Sequence, residues 1–293
     1  MPMIAIRDVS LFVKMTGHGY PLLLMHGGPG LDYTTLDSLE PLADRFTLIF
    51  YDHRCNGRST GAVETMTFDN LTADADALRQ TLGFEQWAVA GHSFGGNVAL
   101  EYALRYPESI SHLLLLDTCA DSYWYQESAP TILAKRGYKT KTVEAARRFY
   151  NGDLTPDEVY PIVRKFLRAY FFRLRMRDTP HAIAAALRLR MRHEAHVFGF
   201  GTTLKNWSVM DRLGEIEMPT LVLGGRMDFL FPPEHLAILA DRIPNAQLEI
   251  IERAGHSPHA EQADEVMRII TRFIAARSRP PAHPRIVASA RAH

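Results

Sequence analysis

Three short runs in the chain, Leu22 to Met25, Trp87 to Ala90 and Leu113 to Leu116, are apolar at every position. A strand of that kind has no face to turn to water, so it belongs in a parallel sheet covered on both sides by helices. The intervening segments supply those helices. Phe68 to Leu82 places Leu71, Ala75, Leu78 and Leu82 at helical spacing, and Asn97 to Tyr106 does so with Val98, Tyr102 and Ala103 before Pro107 ends it. Further strands are expected at Ile4 to Ile6, Leu11 to Met15 and Thr47 to Tyr51. The pattern resumes with strands at Pro219 to Gly224 and Gln247 to Ile251, then a last helix carrying Val266, Ile269, Ile270, Phe273 and Ile274. The expected fold class is α/β, one mostly parallel sheet flanked by helices, built from residues 1–118 and 208–277.

Residues 119–207 break this pattern. They contain no strand-like run, but several helix-length stretches rich in Arg, Ala, Leu and aromatic residues, and they read as a helical insertion into the sheet. The insertion holds 16 Lys and Arg against 8 Asp and Glu, whereas the whole chain balances 33 against 33, so the core must carry the opposite sign. That split suits an insertion docked on an acidic body, a mouth that attracts anions, or arginine stems lying along exposed helix faces. Residues 278–293, rich in Pro and Arg, have little to bury and are expected to form a mobile tail.

The zero net charge argues against a nucleic-acid partner. The longest apolar runs, such as Leu113 to Leu116 and Ala182 to Leu187, fall far below the roughly 20 residues needed to cross a bilayer. The first residues show no basic segment followed by an apolar one, as a secretory leader would. Cys55 and Cys119 make neither a disulfide framework nor a recognisable metal site. A cytoplasmic protein without membrane or nucleic-acid partners is expected.

The strongest chemical signal is Gly91-His92-Ser93-Phe94-Gly95, set between the strand ending at Ala90 and the helix that follows. A serine on so sharp a strand-to-helix turn has strained dihedrals, and its neighbours two positions away must lack side chains. Its hydroxyl is a poor nucleophile until a base takes the proton and a third group orients the base. In this architecture the order along the chain is serine, acid, histidine, with the acid after a late strand and the histidine after the last. Asp228, in Gly224-Gly-Arg-Met-Asp, and His256, in Ala254-Gly-His-Ser-Pro, occupy those places. Asp117, one strand after the serine, is the rival acid, and His259 a lesser alternative base. His92 is carried by the turn itself and is poorly placed to serve as base.

Acyl transfer also needs backbone donors aimed at the tetrahedral oxyanion. One is expected at the amide of Phe94, and a second in the glycine-rich turn His26-Gly-Gly-Pro-Gly30 after an early strand. His193-Glu-Ala-His196 lacks the spacing of a zinc helix, and no glycine-rich phosphate loop is present, so neither a metal nor a cofactor is expected.

Over residues 20–118 and 208–277 the chain resembles the α/β-hydrolase superfamily, and more closely its proline iminopeptidase-like branch. The resemblance rests on His26-Gly-Gly-Pro-Gly30, on Asp52-His-Arg-Cys-Asn-Gly-Arg-Ser59, on the serine turn and on the Asp228 and His256 segments. It implies Gly28 as the second oxyanion donor and 119–207 as a cap over the active site. The branch's aminopeptidases commonly carry Gly-Gly-Ser-Trp-Gly at the turn, whereas this chain reads Gly-His-Ser-Phe-Gly as many esterases do. Those aminopeptidases hold a substrate ammonium with cap glutamates, and some place another directly after the triad aspartate. Here that neighbour is Phe229, and Glu194 is the best-placed cap acid, with a helix-surface ion pair as its other reading. The expected function is a cofactor-independent serine hydrolase cleaving an ester or amide of a small molecule or short peptide through an acyl-enzyme. Proline release, lactone or carbon–carbon hydrolysis, and a ligand receptor without turnover are the alternatives.

Overall fold

The computed structural model describes residues 3–173 and 188–276. The expected tail 278–293, the run Ala182 to Leu187 and Asp178, one of the acids of the 119–207 insertion, lie outside these residues. Eight strands form one sheet: β1 (Met3–Ile6), β2 (Val9–Thr16), β3 (Tyr20–Met25), β4 (Phe46–Tyr51), β5 (Trp87–His92), β6 (Ile110–Leu116), β7 (Thr220–Gly225) and β8 (Ala246–Ile251). Their order is β1-β2-β4-β3-β5-β6-β7-β8; β2 pairs antiparallel with both β1 and β4, and the other pairings are parallel. Each expected strand is present; seven are extended by one to three residues, and the one expected at Pro219 to Gly224 is shifted by one residue, to Thr220–Gly225.

Alternate residues of each central strand feed two separate cores, because side chains of an extended chain point to opposite faces. Leu23, Met25, Val89, Leu113, Leu115 and Val222 meet one face, covered by α1 (Phe68–Thr81), α2 (Phe94–Arg105) and the helix Pro233–Arg242. Leu22, Leu24, Ala88, Ala90, Leu114 and Leu223 meet the other, covered by the turns of Tyr33–Asp44 and the last helix, Ala263–Ala275. That last helix buries Val266, Ile269, Ile270, Phe273 and Ile274, the five residues of its apolar stripe.

Between β6 and β7 the chain leaves and re-enters the sheet at a short antiparallel bridge, Asp121 with Ser208. The described residues between them form the helices Ala129–Lys135, Thr140–Asn151, Pro156–Val163 and His193–Phe198. Several of the arginines in this segment reach the sheet's loops. Arg188 pairs with Asp37 at 3.1 Å, the Arg190 amide donates to Asp32 at 3.0 Å, and Arg136 donates to the carbonyl of Met227 at 2.9 Å. Others, such as Arg147 with Glu127 and Arg148 with Glu158, pair within the segment. Both the docking and the helix-surface readings of its basic charge therefore have examples.

Candidate active site

Adjacent parallel strands deliver their loops to one edge, so β3, β5, β6, β7 and β8 present His26, Ser93, Asp117, Asp228 and His256 along the carboxyl ends of the sheet. Ser93 has φ 53° and ψ −120°, a region that residues with a Cβ rarely enter. Packing enforces it. A Cβ on Gly91 would lie 2.3 Å from the carbonyl of Gly95, and one on Gly95 would lie 2.1 Å from that of Met25. The turn closes with the Ser93 amide donating to Leu116 at 3.0 Å.

The structure brings Ser93, His256 and Asp228 into a single hydrogen-bonded line. Ser93 Oγ lies 3.0 Å from His256 Nε2, and His256 Nδ1 lies 2.8 Å from Asp228 Oδ2. The other Asp228 oxygen accepts the Leu230 amide at 2.8 Å, which fixes the carboxylate plane. All three residues are buried. Such a line can strip the serine proton, hold the imidazole in one tautomer and stabilise the imidazolium that results. Asp117 does not touch the histidine in this way: its Oδ1 accepts the Gly225 amide at 2.9 Å.

His92 sits beside His256 and braces it. Its Nε2 donates to the carbonyl of His256 at 2.8 Å, and its ring lies 5.0 Å from the His256 ring and 4.5 Å from that of His259. His259 donates instead to the Thr35 carbonyl at 3.1 Å, away from the serine. Burial, with the neighbouring imidazoles next in size, holds His92 well below the usual histidine range, and burial pushes His259 down to about 4.

Phe94 opens α2, and the first amides of a helix have no carbonyl within it to bond. The glycine turn after β3 comes up against the serine: a Cβ on Gly27 would lie 3.1 Å from that of Ser93, and Gly28 adopts φ +61°. A buried polar frame holds this turn. His26 accepts the His53 amide at Nε2, 3.1 Å away, so its Nδ1 carries the proton and donates to the Gly27 carbonyl at 3.0 Å. The Gly30 amide donates to Asn56 Oδ1, and Asp52 accepts the amides of Tyr33 and Arg58 at 2.9 and 2.8 Å. The Asp52 to Ser59 segment is thus a brace for the turn. Buried Arg54 anchors it through two bonds to Asp74, 2.6 and 2.8 Å long, and one of 2.9 Å to Asp8.

The 119–207 segment supplies aromatic walls. Tyr170 lies 5.4 Å from the His256 ring and its carbonyl accepts the His256 amide at 2.7 Å. Glu261 clamps that contact by accepting the amides of Gly255 and Phe172, each at 2.7 Å. Tyr125, buried, donates to Asn97 at 2.6 Å, and the Tyr150 and Tyr170 hydroxyls meet each other. Phe229 is fully buried, with its ring 5.2 Å from Tyr170. Glu194 lies on the exposed side of its helix. Within the short helix His193–Phe198, Ala195 and His196 turn inward, and Glu194 is exposed beside a hollow of about 370 Å³ that it lines with Cys55, Gly61, Val63, Arg192 and Ala195. Sequence periodicity could not assign the faces of so short a helix.

Among the described residues, one group offers three potential metal-ligand atoms within 4.8 Å of one another: Asp117, Asp228 and His256. Two of these residues are already joined as donor and acceptor, so the group is read here as a proton relay. His193 and His196 form no such group. No described helix is long and apolar enough to cross a membrane.

Residues 20–263 match the family model described as alpha/beta hydrolase fold. The proline iminopeptidase PfmaB of Pestalotiopsis fici is 29% identical over 275 residues, which cover 91% of this chain and 96% of that protein. The crystal structure of a proline iminopeptidase from Mycobacterium smegmatis superposes with a TM-score of 0.75 at 24% identity, covering 94% and 97% of the two chains. An esterase from Exiguobacterium antarcticum does so with a TM-score of 0.76 at 18% identity, covering 93% and 98%.

Proposed function

From the premise that the chain belongs to the α/β-hydrolase fold family, as the match over residues 20–263 shows, we propose that it cleaves a small-molecule ester or amide through an acyl-enzyme on Ser93. The unbroken line Asp228–His256–Ser93 carries this reading. His256 Nε2 takes the serine proton as Oγ attacks the carbonyl carbon, and the amides of Phe94 and Gly28 receive the oxyanion. The imidazolium then hands that proton to the leaving group, and water attacking the acyl-enzyme repeats the steps with His256 again as base. Neither a cofactor nor a metal enters. Residues 119–207 act as the cap, and the setting is cytoplasmic.

A fluorophosphonate probe tests the reading directly. It is expected to label the wild-type chain at Ser93; no labelling of folded protein would favour a receptor without turnover. Asp228→Asn is expected to lower kcat by about 10⁴-fold, as losing the orienting acid of a serine hydrolase does. Asp117→Asn should cost far less. The reverse ranking would transfer the acid to Asp117.

The walls favour uncharged acyl groups. Tyr170 and Phe231 pack on His256 at 5.4 and 5.5 Å, Phe229 stands where an acid could have followed Asp228, and Glu194 is exposed. An ammonium packed against these apolar walls would lose its hydration there, and the rings offer no carboxylate to replace it. Short esters are therefore expected to show the higher kcat/KM, compared with proline arylamides. The named relatives favour a second reading, release of an N-terminal proline. A higher kcat/KM on proline arylamide, with its KM raised selectively by Glu194→Gln, would establish that reading instead.

A further inference from the structure

Asp117 is fully buried at the end of β6, in a left-handed conformation with φ 42°, and its own amide is tied to the Leu223 carbonyl at 2.8 Å. One carboxyl oxygen accepts the Gly225 amide, while the other, Oδ2, is buried with no donor from the protein among the described residues. A carboxylate oxygen left so is costly, whereas a carboxylic acid there needs only an acceptor. An acceptor is near: one oxygen of Asp117, one of Asp228 and one ring nitrogen of His256 lie within 4.8 Å of each other. Of the two carboxyls Asp228 has two donors, the Leu230 amide and the His256 ring, and Asp117 has one. The shared proton therefore belongs on Asp117.

We propose that Asp117 is a positioning residue, a neutral carboxylic acid at neutral pH whose O–H donates to Asp228. The triad acid is then held by three donors rather than two, and the imidazole faces one negative charge instead of two. The charged groups facing Asp117 agree with this. Burial and the adjacent Asp228, with Glu261 a smaller contribution, hold its carboxyl well above the usual carboxylate range, the Gly225 amide alone opposing. Gly224 makes the approach possible, since its Cβ would lie 3.0 Å from Asp117 Oδ1.

This inference rests on the proposed roles of Asp228 and His256, so its test has one arm that does not depend on turnover. The infrared difference spectrum between the full wild-type chain and Asp117→Asn at pH 7 should lose a carboxylic C=O band. A carboxylate band lost instead would overturn the proposal, whatever Ser93 does. In the second arm, Asp117→Leu should lower kcat by about tenfold with KM within twofold and move the acid limb of the pH profile upward. Without the third donor, Asp228 attracts the imidazole proton more strongly. Asp117→Asn presents N–H to Asp228 and C=O to Gly225, and should restore kcat to within about threefold with the acid limb back in place. An Asn variant as slow as Leu, or an acid limb shifted downward by Asn as removal of a charge would do, would overturn it. If the Leu variant does not fold, the infrared arm and the Asn profile still decide.

Discussion

Ser93→Ala should abolish turnover, lowering kcat by about 10⁴-fold or more while leaving the thermal transition near that of the wild type. The hydroxyl is the proposed covalent site, and triad members act as a unit, so losing one costs nearly what losing all does. The small expected change in stability follows from the local geometry. Ser93 Oγ is hydrogen-bonded to His256, while the strained turn is closed by the Ser93 amide to Leu116 and by glycine contacts that alanine leaves untouched. The variant should also lose fluorophosphonate labelling. Activity within tenfold of wild type, measured on protein passed through two purification steps, would take Ser93 out of the mechanism.

What makes such a site legible in a sequence is its attachment to strand ends. Buried parallel strands announce themselves by composition, and each strand end fixes where the next residue projects, so Ser93, Asp228 and His256 can be set on neighbouring loops without knowing any side-chain contact. The glycines carry information for the same reason: Gly91 and Gly95 are demanded by backbone that approaches within 2.3 Å of where a Cβ would stand.

Contacts between the 119–207 segment and the sheet are not legible in this way. Tyr125 reaches Asn97, Tyr170 covers His256 and Glu261 clamps Phe172, yet each pair is joined only by how helices of irregular length pack. No periodicity encodes that. Glu194 shows the limit most plainly, because a six-residue helix with two inward residues leaves its neighbour's direction to the docking at Gly30, where the Arg192 amide meets the Gly30 carbonyl at 2.7 Å. His92 shows the converse. Its place on the serine turn argues against a base, but the histidine's service as a brace for the His256 carbonyl appears only when β5 and the His256 loop lie side by side.

The same burial that shapes the site should make the fold fail steeply in acid. Six histidines are held neutral by desolvation: His26 and His259 are pushed down, the latter to about 4, His53 and His92 lie well below the ordinary 6.5, and His196 and His235 are pushed to about 3. Each has a folded value below its unfolded one, so the unfolded chain takes up more protons as soon as pH drops below about 6.5. The stability they contribute is complete above that pH and is lost as pH falls. At about 1.4 kcal/mol per pH unit for each proton, six protons amount to about 8 kcal/mol per unit at most, against a whole-domain stability of about 5–15 kcal/mol. Buried carboxyls oppose this. Asp37, Asp52, Asp117, Asp121 and Glu261 are raised by burial, so the folded chain holds their protons to higher pH and gains stability as pH falls, but Asp37 and Asp121 are only half-buried and the histidines titrate first as pH drops from neutrality. Thermal transitions recorded from pH 8 to pH 4.5 at constant ionic strength should therefore hold level above pH 7, then fall steeply, with cooperative unfolding at room temperature between about pH 6 and pH 4.5. His235 offers a check on the cause. Its ring packs 4.0 Å from Trp124, tilted by 38°, with both nitrogens buried and without a hydrogen-bond partner among the described residues, so phenylalanine can occupy its place. His235→Phe should remove about one proton from the uptake on unfolding and shift the collapse to lower pH. A transition temperature that stays flat from pH 7 to pH 5, or a His235→Phe variant with unchanged proton uptake, would show that these imidazoles are not what limits the fold in acid.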